Sequence, residues 1–377
     1  MKTTKNSNVL FKELDFNGSD RIMILNKPKL LEIIERTAKS DSQSSITENI
    51  LKLKTQISNF RTDEEGLLNI GTNGDTLSIN QKHLFEQLKQ IVEAQTIERS
   101  IYYLRRLYKA ISEQKTGKIN DLNLNRWKEY DDIITDSLWV LKNRDNSGVH
   151  SADYWGNFIP QIPNQMMKRY TKKGEWVLDT FAGCGTTLIE AQRLERNSIG
   201  IELQPDIAKK ANDLIKSENN KYATINEVIE GDSSDTDYKE LLQKHNCKSI
   251  QLLIMHPPYF DIIKFSKNPR DLSNCKSVTD FLAKMNEIVS RTAKVLDKGR
   301  YFALVIGDKY SKGEWIPLGF LTMQECLKCG FQLKSIIVKN FEETFGKRNQ
   351  QELWRYRALV GGFYIFKHEY IFLFKKK

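Results

Sequence analysis

Apolar and polar positions alternate in two different textures along the chain. Up to about residue 144, apolar residues recur at a helical period; beyond it, short apolar runs alternate with helical stretches. The clearest early stretch covers residues 80–113. There Leu84, Leu88, Ile91, Val92, Ile97, Ile101, Leu104, Tyr108 and Ile111 keep close to the helical spacing and predict one long helix. Lys82, Lys89, Arg99, Arg105, Arg106 and Lys109 interleave with them, giving a charged face that suits water or phosphates. Polar stretches at 40–45 and 71–75 predict loops. No internal repeat and no low-complexity tract is read.

In the second part, runs at 176–179, 198–203, 223–232, 250–255 and 301–308 predict buried strands. Helical patterns at 186–196, 205–217 and 278–296 separate them. This alternation predicts a mainly parallel sheet covered on both faces. Two last runs, at 331–340 and 369–376, have only a loop between them and predict an antiparallel pair at the sheet edge. Two domains are therefore expected: a mostly helical one over 1–144 and an α/β one over 145–377.

Composition narrows the class. The chain has 377 residues, 40% hydrophobic and 28% charged, as globular domains do. No apolar run is long enough for a membrane span, and the N-terminus lacks a secretory h-region, so a cytoplasmic location is expected. The net charge of +10 favours a polyanionic partner. The five cysteines, Cys184, Cys247, Cys275, Cys326 and Cys329, are too sparse for a disulfide framework. Cys326 and Cys329 form a CxxC with no second pair at ligand spacing, so they are read as helix residues and no metal is expected.

The chemistry concentrates at strand ends. Asp179-Thr-Phe-Ala-Gly-Cys-Gly-Thr-Thr187 follows the first strand of the α/β part and opens a helix. Gly183 and Gly185 allow a tight turn and a close ligand approach. Leu188 stands where a dinucleotide fingerprint needs its third glycine, and the GK[ST] ending of a P-loop is absent. Glu202 ends the next strand, where a carboxylate accepts ribose hydroxyls; Asp232 ends the third, where one accepts from an adenine amine. The fourth strand runs into His256-Pro257-Pro258-Tyr259. Two prolines remove N–H donors and leave carbonyl acceptors, and Tyr259 offers a flat face. Acceptors around an aromatic amine localise its lone pair, as methylation of a base amino group requires.

These motifs resemble the S-adenosylmethionine-dependent DNA amino-methyltransferases, which act on adenine N6 or cytosine N4. Phe181-Ala-Gly-Cys-Gly-Thr186 is similar to the family's FxGxGT cofactor motif, and His256–Tyr259 to its [DNST]PPY catalytic motif. Residues 156–176 and 368–376 resemble its flanking segments. The resemblance covers about 145–377. It implies a Rossmann-like class I methyltransferase fold, with a seven-stranded, mainly parallel sheet carrying an antiparallel edge strand. It also implies S-adenosylmethionine held by Asp179, Phe181, Gly183, Gly185, Thr186, Glu202 and Asp232, catalysis by His256, Pro257, Pro258 and Tyr259, and a target base flipped out of double-stranded DNA. Adenine N6 is taken ahead of cytosine N4. His256 departs from the family pattern: it accepts the amine hydrogen only as a neutral imidazole.

Nucleic-acid contacts are expected from Phe260 and Lys264 after the catalytic motif. They are also expected from Lys347, Arg348, Arg355 and Arg357, interleaved with Trp354 and Tyr356 in a loop over 339–362. The N-terminal part is expected to help grip DNA. A homodimer, or a restriction or specificity subunit, would be its protein partner. An RNA base amino-methyltransferase and an inactive DNA-binding subunit are the alternatives.

Overall fold

The computed structural model describes residues 16–59, 66–68, 70, 75–150, 156–341 and 351–377, the Gln351 side chain excepted. The chain forms two compact units, Met1–Gly117 with Leu122–Asp131, and Lys118–Asp121 with Asp132–Lys377.

The first unit runs β1 (Ile22–Asn26), α1 (Lys27–Ala38), α2 (Gln43–Ser58), β2 (Thr76–Asn80), α3 (Gln81–Val92) and α4 (Ile97–Ser112). The single helix expected over 80–113 is two helices. The Thr96 hydroxyl accepts the Arg99 N–H at 3.2 Å and caps a new start. A repeat also emerges where none was expected. Asn26 caps α1 as Asn80 caps α3, and Ser42 caps α2 as Thr96 caps α4; both pairs stand 54 residues apart. At that offset buried Leu25, Leu30, Ile34, Ile50, Leu53 and Ile57 match buried Ile79, Leu84, Leu88, Leu104, Leu107 and Ile111. The unit is thus a strand–helix–helix motif used twice. Its strands pair antiparallel and both helix pairs enclose one core. What repeats is the capping and burial pattern rather than residue identity, so the sequence conceals it.

The second unit adds β3 (Leu138–Trp139), α5 (Gln161–Tyr170), β4 (Trp176–Asp179), α6 (Thr186–Arg193), β5 (Asn197–Glu202), α7 (Pro205–Ser217), β6 (Asn226–Glu230), α8 (Tyr238–Lys244) and β7 (Ile250–Met255). It continues with α9 (Val278–Ala293), β8 (Leu296–Ile306), β9 (Lys309–Ser311), β10 (Glu314–Ile316), α10 (Leu318–Lys328), β11 (Phe331–Asn340), α11 (Gln351–Gly361) and β12 (His368–Lys376). The main sheet has the order β3-β11-β12-β8-β7-β4-β5-β6. All its pairings are parallel except the two made by β12.

This is the expected Rossmann-like α/β architecture, with two differences in detail. Short β3 pairs with the outer side of β11 and makes the sheet eight-stranded. The antiparallel strand is also not at the edge, because β12 inserts between β8 and β11. Its residues Glu369–Phe374 are buried without interruption, as a strand covered on both faces requires. From β4 the chain steps outward through β5 and β6, then crosses to β7 on the other side. The carboxyl ends of β4 and β7 therefore flank a topological switch point, where open α/β sheets bind ligands.

Candidate active site

A cleft of about 1200 Å³ opens at that switch point, and the described residues that line it all belong to the second unit. Beyond β4 the chain turns through Gly183 at φ 51° and Gly185 at φ 81°. Both lie in the left-handed region that glycine enters without strain. Asp179 braces this loop from beneath: it accepts the Phe181 N–H at 2.9 Å and the Thr187 hydroxyl at 2.5 Å. Burial raises its carboxyl to about 6. Asp179, Gly185 and Thr186 do not line the cleft, whereas Phe181 and Gly183 do.

Glu202, at the end of β5, accepts the Gly183 N–H at 3.1 Å and the Gln204 N–H at 2.9 Å. Burial raises its pKa above the usual carboxylate value. Each of its oxygens keeps one further lone pair for a ligand in the cleft. Asp232 binds the Ser234 N–H and hydroxyl through one oxygen, at 2.9 and 2.7 Å, and its other oxygen has no partner among the described residues. The Thr180 hydroxyl is buried at the cleft wall, also without a partner among the described residues. A polar, hydroxyl-bearing ligand would satisfy these groups, so the set fits a nucleoside such as that of S-adenosylmethionine.

The His256–Tyr259 segment meets this loop because β4 and β7 are neighbours, with Asp179 opposite Ile254. His256 leaves the end of β7 and packs on Phe158, ring centroids 4.9 Å apart. Its Nε2 lies 3.2 Å from the Tyr259 hydroxyl. Burial lowers its pKa, Glu369 opposes the fall and Lys339 adds to it, and the outcome is about 4. Tyr259 donates to Glu369 at 2.8 Å, and a Cβ on Gly307 would come within 2.9 Å of its ring. Glu369 of β12 and Lys339 of β11 stand opposite each other in the sheet and pair at 3.0 Å, both buried. Burial alone would raise the Glu369 carboxyl, but Lys339, His256 and the hydrogen bonds outweigh it and hold it low. The sequence reading missed Lys339 and Glu369. Their one signal was a lone charge inside each of two otherwise apolar strand ends.

The expected nucleic-acid residues fare unequally. Phe260 is buried: at φ 53° it turns into the core and packs on Phe281, 6.1 Å between centroids, so it cannot meet a base. Lys264 is exposed, lies outside the cleft lining, and donates to the Ser273 carbonyl. Lys347 and Arg348 lie outside the described residues. Arg355 and Arg357 are exposed, on α11 rather than in a loop. The Arg357 guanidinium lies 5.3 Å from the ring centre of Trp354, which lines the cleft. Phe265, Tyr310 and Phe363 also line it, the last two stacked at 4.1 Å, and were not singled out from sequence. Cys326 is buried in α10 and Cys329 caps that helix; no cluster of metal ligands occurs among the described residues.

A family model described as DNA methylase matches residues 10–213 and 250–377. The type II methyltransferase M.BglI of Bacillus subtilis is 28% identical over 158 residues, which are 38% of this chain and 44% of that protein. The tRNA (guanine(10)-N2)-dimethyltransferase of Methanocaldococcus jannaschii is 31% identical over 130 residues, 33% of this chain and 35% of that one. The chain thus spans less than half the length of these curated relatives. Among solved structures, TrmN from Thermus thermophilus is similar over 59% of this chain and 50% of its own, at 14% identity and a TM-score of 0.38.

Proposed function

The chain belongs to the DNA methylase family of N6/N4 amino-methyltransferases, and from that premise we propose that it methylates the exocyclic amine of a flipped-out DNA base. The methyl donor is S-adenosylmethionine, which supplies a methyl group already activated on a sulfonium. The observation that carries the reading is the junction of FAGCGT and HPPY at one switch-point cleft.

Each residue then has a task. Glu202 accepts the ribose hydroxyls and the free oxygen of Asp232 accepts the adenine amine of the donor. Gly183 lets the backbone approach it, and Phe181 covers it. Asp179 acts one step back, holding the loop. On the other side, His256 and the Pro257 carbonyl accept the hydrogens of the target amine. Pro258 stiffens the turn and Tyr259 walls the base pocket. No covalent enzyme intermediate is needed, so the gain comes from orientation and electrostatics. Adenine N6 is the target taken first, with cytosine N4 second. Arg355 and Arg357 contact the phosphates beside the cleft. The matched tRNA methyltransferase keeps RNA as the second substrate reading.

Purified full-length protein with methyl-labelled donor, offered bacterial genomic DNA and total RNA separately, tests this. The expected result is label in DNA, recovered as N6-methyladenine. Label in RNA alone rejects the DNA reading.

A further inference from the structure

We propose that Glu369 and Lys339 are positioning residues: through Tyr259 they hold His256 with its proton on Nε2, leaving the Nδ1 lone pair to accept a hydrogen of the target amine. This rests on the reading that the cleft takes an exocyclic amine. The argument is one of counting protons along a chain of contacts. Lys339 has only hydrogens to give and gives one to Glu369 at 3.0 Å. The Tyr259 hydroxyl has one proton and two acceptors in reach, Glu369 at 2.8 Å and His256 Nε2 at 3.2 Å. An ionised carboxylate is the stronger acceptor and takes it. The tyrosine oxygen then has only lone pairs to offer His256, so Nε2 must donate. The other ring nitrogen is left bare, and it has no partner among the described residues.

The charges that act on the ring come from two neighbouring strands, Glu369 on β12 and Lys339 on β11. Burial and Lys339 keep the ring neutral against the pull of Glu369. An Asp, Asn, Ser or Thr at this place would present an oxygen without such help. An imidazole presents an acceptor in one tautomer only and a donor in the other. A buried ion pair seldom stabilises a fold beyond an apolar replacement. Its presence at this strand end is explained if it sets the tautomer.

The test is nitrogen NMR of the full-length protein labelled with ¹⁵N-histidine at pH 7, the His256 signals assigned by their loss in His256→Asn. The expected wild-type spectrum has Nε2 protonated and Nδ1 bare. In Glu369→Gln the amide oxygen faces Lys339 and its NH₂ faces the Tyr259 oxygen. The tyrosine then donates to His256, and the tautomer inverts to Nδ1–H. The rate of methyl transfer should fall by roughly tenfold or more, with donor binding unchanged by calorimetry. A wild-type spectrum with Nδ1 protonated overturns the proposal without any variant. So does a Glu369→Gln protein that keeps both tautomer and rate. If the wild type shows the expected tautomer but transfers no methyl group to DNA or RNA, the amine reading falls and the relay stands.

Discussion

His256 shows how far an environment moves a single residue. A histidine in water titrates near 6.5, roughly; burial and Lys339 bring this one down to about 4, against Glu369. Under the proposed function the neutral ring is the form that accepts the amine hydrogen. Single-turnover methylation should therefore stay level as pH falls from 8 and drop only on approaching 4. An acid limb centred near 6.5 would show an ordinary histidine and reject this account. Asp179 has the opposite sign. Its buried carboxyl titrates at about 6 against an ordinary aspartate value of 3.8, so the folded state holds the proton more tightly than the unfolded one. Folding is then penalised as pH rises from about 4 through 6. Asp179→Asn, which keeps an acceptor for the Phe181 N–H, should stabilise the protein at pH 8 by on the order of 2–3 kcal/mol. The gain should vanish by pH 4, as urea unfolding at the two values would show.

At the scale of elements, much of the second unit was legible. Apolar runs bounded by helical patterns located β4, β5, β6, β7 and β8, and both motifs stood at strand ends as the alternation implied. What stayed hidden depends on lateral neighbours. Strand order is not written in any one strand, so the insertion of β12 showed only as an unbroken apolar run. Lys339 and Glu369 meet across a pairing that joins residues 30 apart. Phe260 is one residue beyond the motif, yet a positive φ sends it into the core. In the first unit a continuous period masked a four-residue break, because Thr96 supplies a cap without a proline or glycine to announce it. Close packing of elements also yields a prediction. A Cβ on Gly200 in β5 would stand 2.7 Å from the Ala182 Cβ and 3.0 Å from Leu188 in α6. Ala182 belongs to the loop after β4 and cannot withdraw as a long side chain would. Gly200→Ala should cost about 1–3 kcal/mol of stability and weaken donor binding. A variant with unchanged melting and calorimetry would show that the loop yields.

The whole molecule joins two units with separate cores, and their contributions to function can be separated by experiment. Every described residue that lines the cleft belongs to the second unit. Lys118–Asp121 belong to it as well. The Asn120 amide donates to the Arg169 carbonyl at 2.8 Å, and the Asp121 carboxylate accepts the Lys173 N–H at 2.7 Å and faces Arg196 at 3.3 Å. A cut should therefore precede Lys118. The first unit carries Arg105 and Lys109 on the exposed side of α4, with Lys109 turned toward Glu113 at 3.5 Å. Its doubled motif needs both halves, because among the described residues β1 and β2 pair only with each other. It is therefore best removed as the whole stretch that holds both halves, residues 1–117, with Leu122–Asp131 left on the remaining chain. We propose that it grips the DNA backbone, by contacts that do not read the donor. Deleting residues 1–117 should then leave S-adenosylmethionine affinity within about threefold. Affinity for duplex DNA should fall by roughly tenfold or more, with a shallower dependence on salt because fewer phosphates are neutralised. Calorimetry with the donor and fluorescence anisotropy with a labelled duplex at two salt concentrations measure both. Unchanged DNA affinity and salt slope would place the grip on the second unit, with Arg355 and Arg357 the residues to test next.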